Sequence, residues 1–208
     1  MTLDRLRPLV SRAITPFVSL AVWLGLSANA ITILSVGTAA AGGYALVLGG
    51  QSASWYGVAA VLVLITGFFD VLDGALARAT ETASDMGDFL DHVLDRYGDV
   101  LILGGLALGA EQYELGMLAL TGVLLTAYLG TQAEALGLDR IYGGLLGRAD
   151  ILLLVGGVAA VAASTNPEWY RFTLVEWTLV FLAVFTHVTA GQRFVWCLQA
   201  LRSDGEFD

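Results

Sequence analysis

The chain has 208 residues, 57% of them hydrophobic and 14% charged, with a formal net charge of −9. A soluble domain is about 45–50% apolar and about 25% charged, so neither a soluble globular domain nor a disordered chain fits. All the basic residues are arginine, and acids outnumber them 19 to 10, which excludes the basic patch a nucleic-acid partner wants. The one cysteine, Cys197, excludes an internal disulfide and a Cys-based metal cluster.

In chain order, residues 3–12 mix leucines with three arginines and predict an interfacial amphipathic helix. An apolar stretch interrupted by Pro16 follows over 13–26. It ends at Ala28-Asn29-Ala30, which imitates a signal-peptide cleavage site. Apolar spans are predicted at 30–49, 55–78, 87–110, 113–137, 148–165 and 172–200, joined by short connections such as Gly49–Ser52 and Thr165–Pro167. A span needs about 20 mostly apolar residues. The expected fold is therefore an all-α integral membrane protein of six transmembrane helices behind the N-terminal interfacial helix. Residues 1–28 form the juxtamembrane segment, 29–201 the transmembrane domain and 202–208 an acidic tail. Six spans put both termini on one side, and every arginine except Arg171 lies on or toward it. The positive-inside rule makes that side cytoplasmic.

The informative residues are acids. Asp70 and Asp73 fall in the cytoplasmic half of the second span, and Asp88, Asp91, Asp95 and Asp99 in that of the third. Intramembrane carboxylates are costly and mark function by default. At about 100° per residue the four acids of the third span occupy an arc of roughly 80°. Asp70 and Asp73 share a face with Gly74 and Ala77. Converging carboxylates must protonate, pair with cations or bind metal. Arg78 and Arg96 are too few to neutralise the set. Oxygen-only ligands favour a hard cation, Mg²⁺ or Mn²⁺, and shared carboxylates could hold two, as in displacement at phosphorus. Asp88 could instead cap its helix, and Asp99 could simply pair with an arginine. Small residues beside the acids leave room for a bulky ligand, and Arg78 can bind phosphate. A phosphate-rich substrate at the cytoplasmic surface is expected. Intramembrane acids also build cation-coupled transporters, but those call for internal repeats and midplane acids, and neither is seen.

The spacing Asp-x2-Asp-Gly-x2-Ala-Arg-x8-Gly-x3-Asp-x3-Asp is met by Asp70, Asp73, Gly74, Ala77, Arg78, Gly87, Asp91 and Asp95. It resembles the CDP-alcohol phosphatidyltransferase family of membrane lipid enzymes. Asn29 to Thr32 are similar to the family's entry to the first span, with Ala28 in place of its proline, and this match argues against signal cleavage. The resemblance implies an enzyme that moves a phosphatidyl group from a CDP-linked lipid to an acceptor hydroxyl and releases CMP. It implies two divalent cations, Mg²⁺ or Mn²⁺, on Asp70, Asp73, Asp91 and Asp95, with Asp95 also the general base. It places Gly74, Arg78 and Ser84 on the CDP moiety, with Asn29 and Thr32 nearby, and implies a homodimer.

Family members differ chiefly in the acceptor. An anionic acceptor needs cationic contacts, and Arg140, Arg148 and Arg193 are the candidates. Residues 133–150 and Arg193 are similar to the branch that uses inositol phosphate. Gly130-Thr131-Gln132 and Ile151, however, stand where that branch usually carries basic residues. The favoured acceptor is a polyol phosphate, inositol phosphate or glycerol phosphate, with serine or another alcohol as the alternative. An acidic, lysine-free composition is common among halophilic proteins, and in a halophilic archaeon the donor would be CDP-archaeol.

Overall fold

The computed structural model describes the backbone over residues 7–138 and 143–203, with side chains over 13–138 and 143–202. Seven helices are described: α1 (Arg7–Trp23), α2 (Ala28–Gly49), α3 (Ser54–Ala79), α4 (Asp85–Gly109), α5 (Tyr113–Ala135), α6 (Arg148–Ala162) and α7 (Leu174–Ser203). A two-residue hairpin, β1 (Glu168–Trp169) against β2 (Phe172–Thr173), precedes α7.

Four helices, α2, α3, α5 and α7, are long and apolar enough to cross a membrane by length and composition. The chain is an all-helical membrane protein. At 25 residues α4 is also long, but it carries the acids in its first turns. The 15 residues of α6 rise only about 22 Å at 1.5 Å per residue.

Where the sequence reading breaks at Pro16, the structure has one helix running through it. Proline lacks an N–H, so this costs a single intrahelical bond. The helix stops at Gly25 instead, whose φ is +69°. The Gly25 N–H donates to the Val22 carbonyl and the Leu26 N–H to that of Ala21, each at 3.0 Å. That pairing is a Schellman end, which favours glycine at the left-handed position. One face of α1 docks on α3: Ile14 and Ala21 are buried with Leu72 and Leu76, and Phe17 meets Phe68 edge-on at 4.9 Å.

The core lies between α2, α3 and α4 on one side and α5, α6 and α7 on the other. Lipid tails are as apolar as leucine, so membrane helices are held by close packing rather than by a hydrophobic drive. Glycines permit it here. A Cβ on Gly105 of α4 would lie 2.1 Å from the Gly43 carbonyl oxygen of α2, and one on Gly109 would lie 2.2 Å from that of Leu46. Hydroxyls add cross-links: Thr38 and Thr66 share a hydrogen bond of 2.9 Å, and Thr126 donates to the Thr186 carbonyl at 3.1 Å.

The α2–α4 contact fixes where the acids of α4 stand. Gly105→Ala must push two backbones apart, an overpacking cost of about 1–3 kcal/mol. A Cβ on the adjacent Gly104 meets nothing within 4 Å. Thermal unfolding in detergent is expected to show a lowered midpoint for Gly105→Ala and little change for Gly104→Ala.

Candidate active site

The acids gather where the end of α3 meets the start of α4. Ser84 begins α4 by accepting from the Gly87 N–H at 3.2 Å, and Asp85 and Asp88 lie in the first turn, where negative charge suits the helix dipole. One turn further in, ligating oxygens of Asp70, Asp91 and Asp95 all lie within 4.8 Å of one another.

Two cavities flank this cluster, and α3 and α4 both contribute acids to each. The first, of about 560 Å³, is lined by Asp73 and Asp91 together with Asn29, Thr32, Gly74, Arg78, Ser84 and Gly87. All the positions expected at the CDP moiety therefore surround one space. Thr32 donates to Asp73 Oδ2 at 2.8 Å, and the Gly74 N–H donates to Asp73 Oδ1 at 2.6 Å. Arg78 folds back over Gly74, where a Cβ would sit 3.3 Å from its Nη1.

The second cavity, of about 520 Å³, is lined by Asp70, Asp95, Arg148 and Arg193, with His92, Arg96 and Thr126. Two of the three arginines expected at an acceptor phosphate meet there. Arg140 lies outside the described residues. Arg193 is buried and donates through Nε to the Gly143 carbonyl at 2.9 Å and through Nη1 to the Thr126 carbonyl at 2.8 Å. The segment leading into α6 is tied to α7 as well: Leu145 N–H donates to Gln192 and Leu146 N–H to Thr189, each at 3.2 Å. Arg148, the first residue of α6, is thereby delivered into the acid cluster.

Its guanidinium bridges three carboxylates. Nη1 pairs with Asp70 and lies 2.8 Å from Asp95 Oδ1, while Nε donates to Asp99 Oδ1 at 3.0 Å. Asp99 thus pairs with arginine, one of the two roles open to it in the sequence. Gly98 makes space for the arginine, since a Cβ there would be 3.3 Å from Arg148 Nη2. His92 also lines the second cavity and hydrogen-bonds through Nδ1 with the Asp88 carbonyl at 2.6 Å.

The donor set fits a divalent cation. Three carboxylates converge, no softer ligand joins them among the described residues, and Asp91 Oδ1 is buried without a hydrogen-bond partner. An orphaned buried carboxylate oxygen costs several kcal/mol in stability unless a cation satisfies it. Asp73 stands apart from the three. Its oxygens already accept from Thr32 and Gly74, and it faces the first cavity.

Residues 25–189 match the sequence profile of the CDP-alcohol phosphatidyltransferase family. The chain belongs to this family. It is 33% identical over 208 aligned residues to the archaetidylinositol phosphate synthase of Methanothermobacter thermautotrophicus, covering 96% of each chain. The solved phosphatidylinositol phosphate synthase of Mycobacterium tuberculosis with CDP-DAG bound superposes with a TM-score of 0.74 at 27% identity, over 89% of this chain and 94% of that one. The same enzyme in complex with manganese and citrate gives 0.75 at 26% identity, over 89% and 88%. This family member is a CDP-alcohol phosphatidyltransferase, and its acidic cluster could hold a divalent cation.

If Asp91 and Asp70 ligate the cation, Asp70→Asn and Asp91→Asn should each weaken Mn²⁺ binding by about tenfold or more. Asp88→Asn, at the exposed helix start, should change it little. Titration calorimetry on the detergent-solubilised protein checks both.

Proposed function

We propose that this protein transfers a phosphatidyl or archaetidyl group from a CDP-linked lipid to the hydroxyl of a polyol phosphate, inositol phosphate first, and releases CMP. The observation that carries this reading is the pair of cavities sharing one acid cluster, one lined by the expected CDP contacts and the other by Arg148 and Arg193. A two-substrate displacement needs donor and acceptor on opposite sides of the reacting phosphorus. The similarity to inositol-phosphate-using relatives supports the choice of acceptor.

In this reading Asn29, Thr32, Gly74, Arg78 and Ser84 hold the cytidine diphosphate of the donor. Gly74 leaves room for it and Arg78 offsets its charge. Arg148 and Arg193 hold the acceptor's phosphate, with Arg140 a third candidate. Asp95 takes the proton from the acceptor hydroxyl. The hydroxyl oxygen forms a bond to the lipid-bearing phosphorus, and that phosphorus releases CMP, which leaves with the electron pair of the broken P–O bond. Two divalent cations, Mg²⁺ or Mn²⁺, would be held by Asp70, Asp73, Asp91 and Asp95, and would supply charge neutralisation on the diphosphate.

We further propose that α4 and α6 cross the membrane with the four apolar helices, giving six spans. The arginine distribution supports termini and active site on the cytoplasmic side of the cell membrane. The family resemblance supports a homodimer.

The test is CMP release by purified protein with a CDP-lipid, Mg²⁺ or Mn²⁺, and inositol phosphate, glycerol phosphate, serine or free inositol. Release with a polyol phosphate, abolished by chelator, is expected. Release with serine alone, or silence with every acceptor, would overturn the acceptor assignment. Asp91→Asn and Asp95→Asn should each reduce turnover by about a hundredfold or more while the protein remains folded.

A further inference from the structure

We infer that Asp99, which lies outside the eight-position motif, positions Arg148 for the acceptor and so sets the acceptor's KM. The inference rests on reading the second cavity as the acceptor's. Asp99 stands one helical turn beyond Asp95 and is only 3% exposed. Each of its oxygens faces an arginine, and Oδ2 is buried without a hydrogen bond. Oδ1 accepts from Arg148 Nε at 3.0 Å, and Oδ2 is ion-paired with Arg96 Nη1 at 3.1 Å. It is also absent from the three acids whose ligating oxygens converge.

The two ends of the Arg148 guanidinium therefore have different partners. Nη1 rests on Asp70 and Asp95, which belong to the converging set, and Nε rests on Asp99, which does not. A cation taken up by Asp70 and Asp95 would compete with Nη1 for the same carboxylates. It leaves the Nε bond to Asp99 untouched. Asp99 is then the anchor that keeps the arginine at the wall of the second cavity, which Arg148 lines beside Arg193. The planar fork of arginine suits this division, because the Nε edge can be pinned while the Nη groups meet a phosphate. Lysine, with a single nitrogen, could not hold both. Arg96, by ion-pairing with Asp99 Oδ2, helps fix the anchor itself.

The test is steady-state kinetics of Asp99→Asn, which keeps size and removes charge. Expected is a rise of about tenfold or more in KM for inositol phosphate, with kcat at saturating acceptor, KM for the CDP-lipid and Mn²⁺ affinity all within about twofold. Combining it with Arg148→Gln should raise the acceptor KM no further than Arg148→Gln alone, because the two residues act as one unit. Asp99→Glu retains the charge, should show a smaller rise, and reads the same split if the Asn variant fails to fold. Donor and acceptor KM rising together, an unchanged acceptor KM, or additive effects in the double variant would overturn the assignment. Wild-type protein that releases no CMP with any polyol phosphate would sink the acceptor reading, and this inference with it. An active wild type with uniformly impaired Asp99 variants would sink this inference alone.

Discussion

Carboxylates taken out of water must be matched by positive charge, and the rest of this structure is arranged around that requirement. Asp70, Asp91 and Asp95 converge at the junction of α3 and α4, where their mutual repulsion would drive the two helices apart. Arg148 supplies part of the compensation by bridging Asp70, Asp95 and Asp99. Arg96 adds ion pairs to Asp95 and Asp99, yet two guanidiniums do not neutralise the set, and Asp91 keeps a buried oxygen without a hydrogen-bond partner. A divalent cation held by Asp70, Asp91 and Asp95 would complete the balance with oxygen ligands. The same charge imbalance would favour a divalent cation at the cluster.

The scaffold serves this centre from two directions. The start of α2, with Asn29 and Thr32, and the end of α3 form one wall of the first cavity, and close glycine contacts hold α2 against α4. On the other side, α7 holds the segment before α6 through Gln192, Thr189 and Arg193, and so presents Arg148 from a helix start. The acids of the two helices divide between the cavities: Asp73, Asp88 and Asp91 line the first, and Asp70 and Asp95 the second. The cluster is thus shared by two spaces, which is the arrangement a displacement between two bound substrates requires.

Much of this was legible in the chain, and the reasons differ by element. The helices after Ala28 follow from uninterrupted apolar runs, and their ends fall close to the predicted ones because glycines and polar turns punctuate them. The residues that line the first cavity were readable as a group because they lie in two short segments with fixed spacing. The bridge from Arg148 to Asp99 and Asp70 was not, because those partners are 49 and 78 residues away in sequence. Nothing local marks an arginine at a helix start as the counter-ion of acids in other spans. Asp99 could be seen as an acid on the right face, but not as the arginine's anchor. The hairpin before α7 was missed because its turn, Tyr170-Arg171, takes positive φ at both positions without the Asn-Gly pair that usually announces such a turn. Pro16 was read as an interruption, yet the docking of α1 against α3 carries the helix through it.

The central claim is that the α3–α4 carboxylates form a metal centre rather than a purely arginine-paired one. The most direct measurement is anomalous diffraction from crystals of the protein soaked in Mn²⁺. The account predicts a manganese peak within ligating distance of Asp70, Asp91 and Asp95, with Arg148 moved off Asp70 and still bonded to Asp99. A map without an anomalous peak at the cluster, and with Arg148 still bridging Asp70 and Asp95, would contradict it.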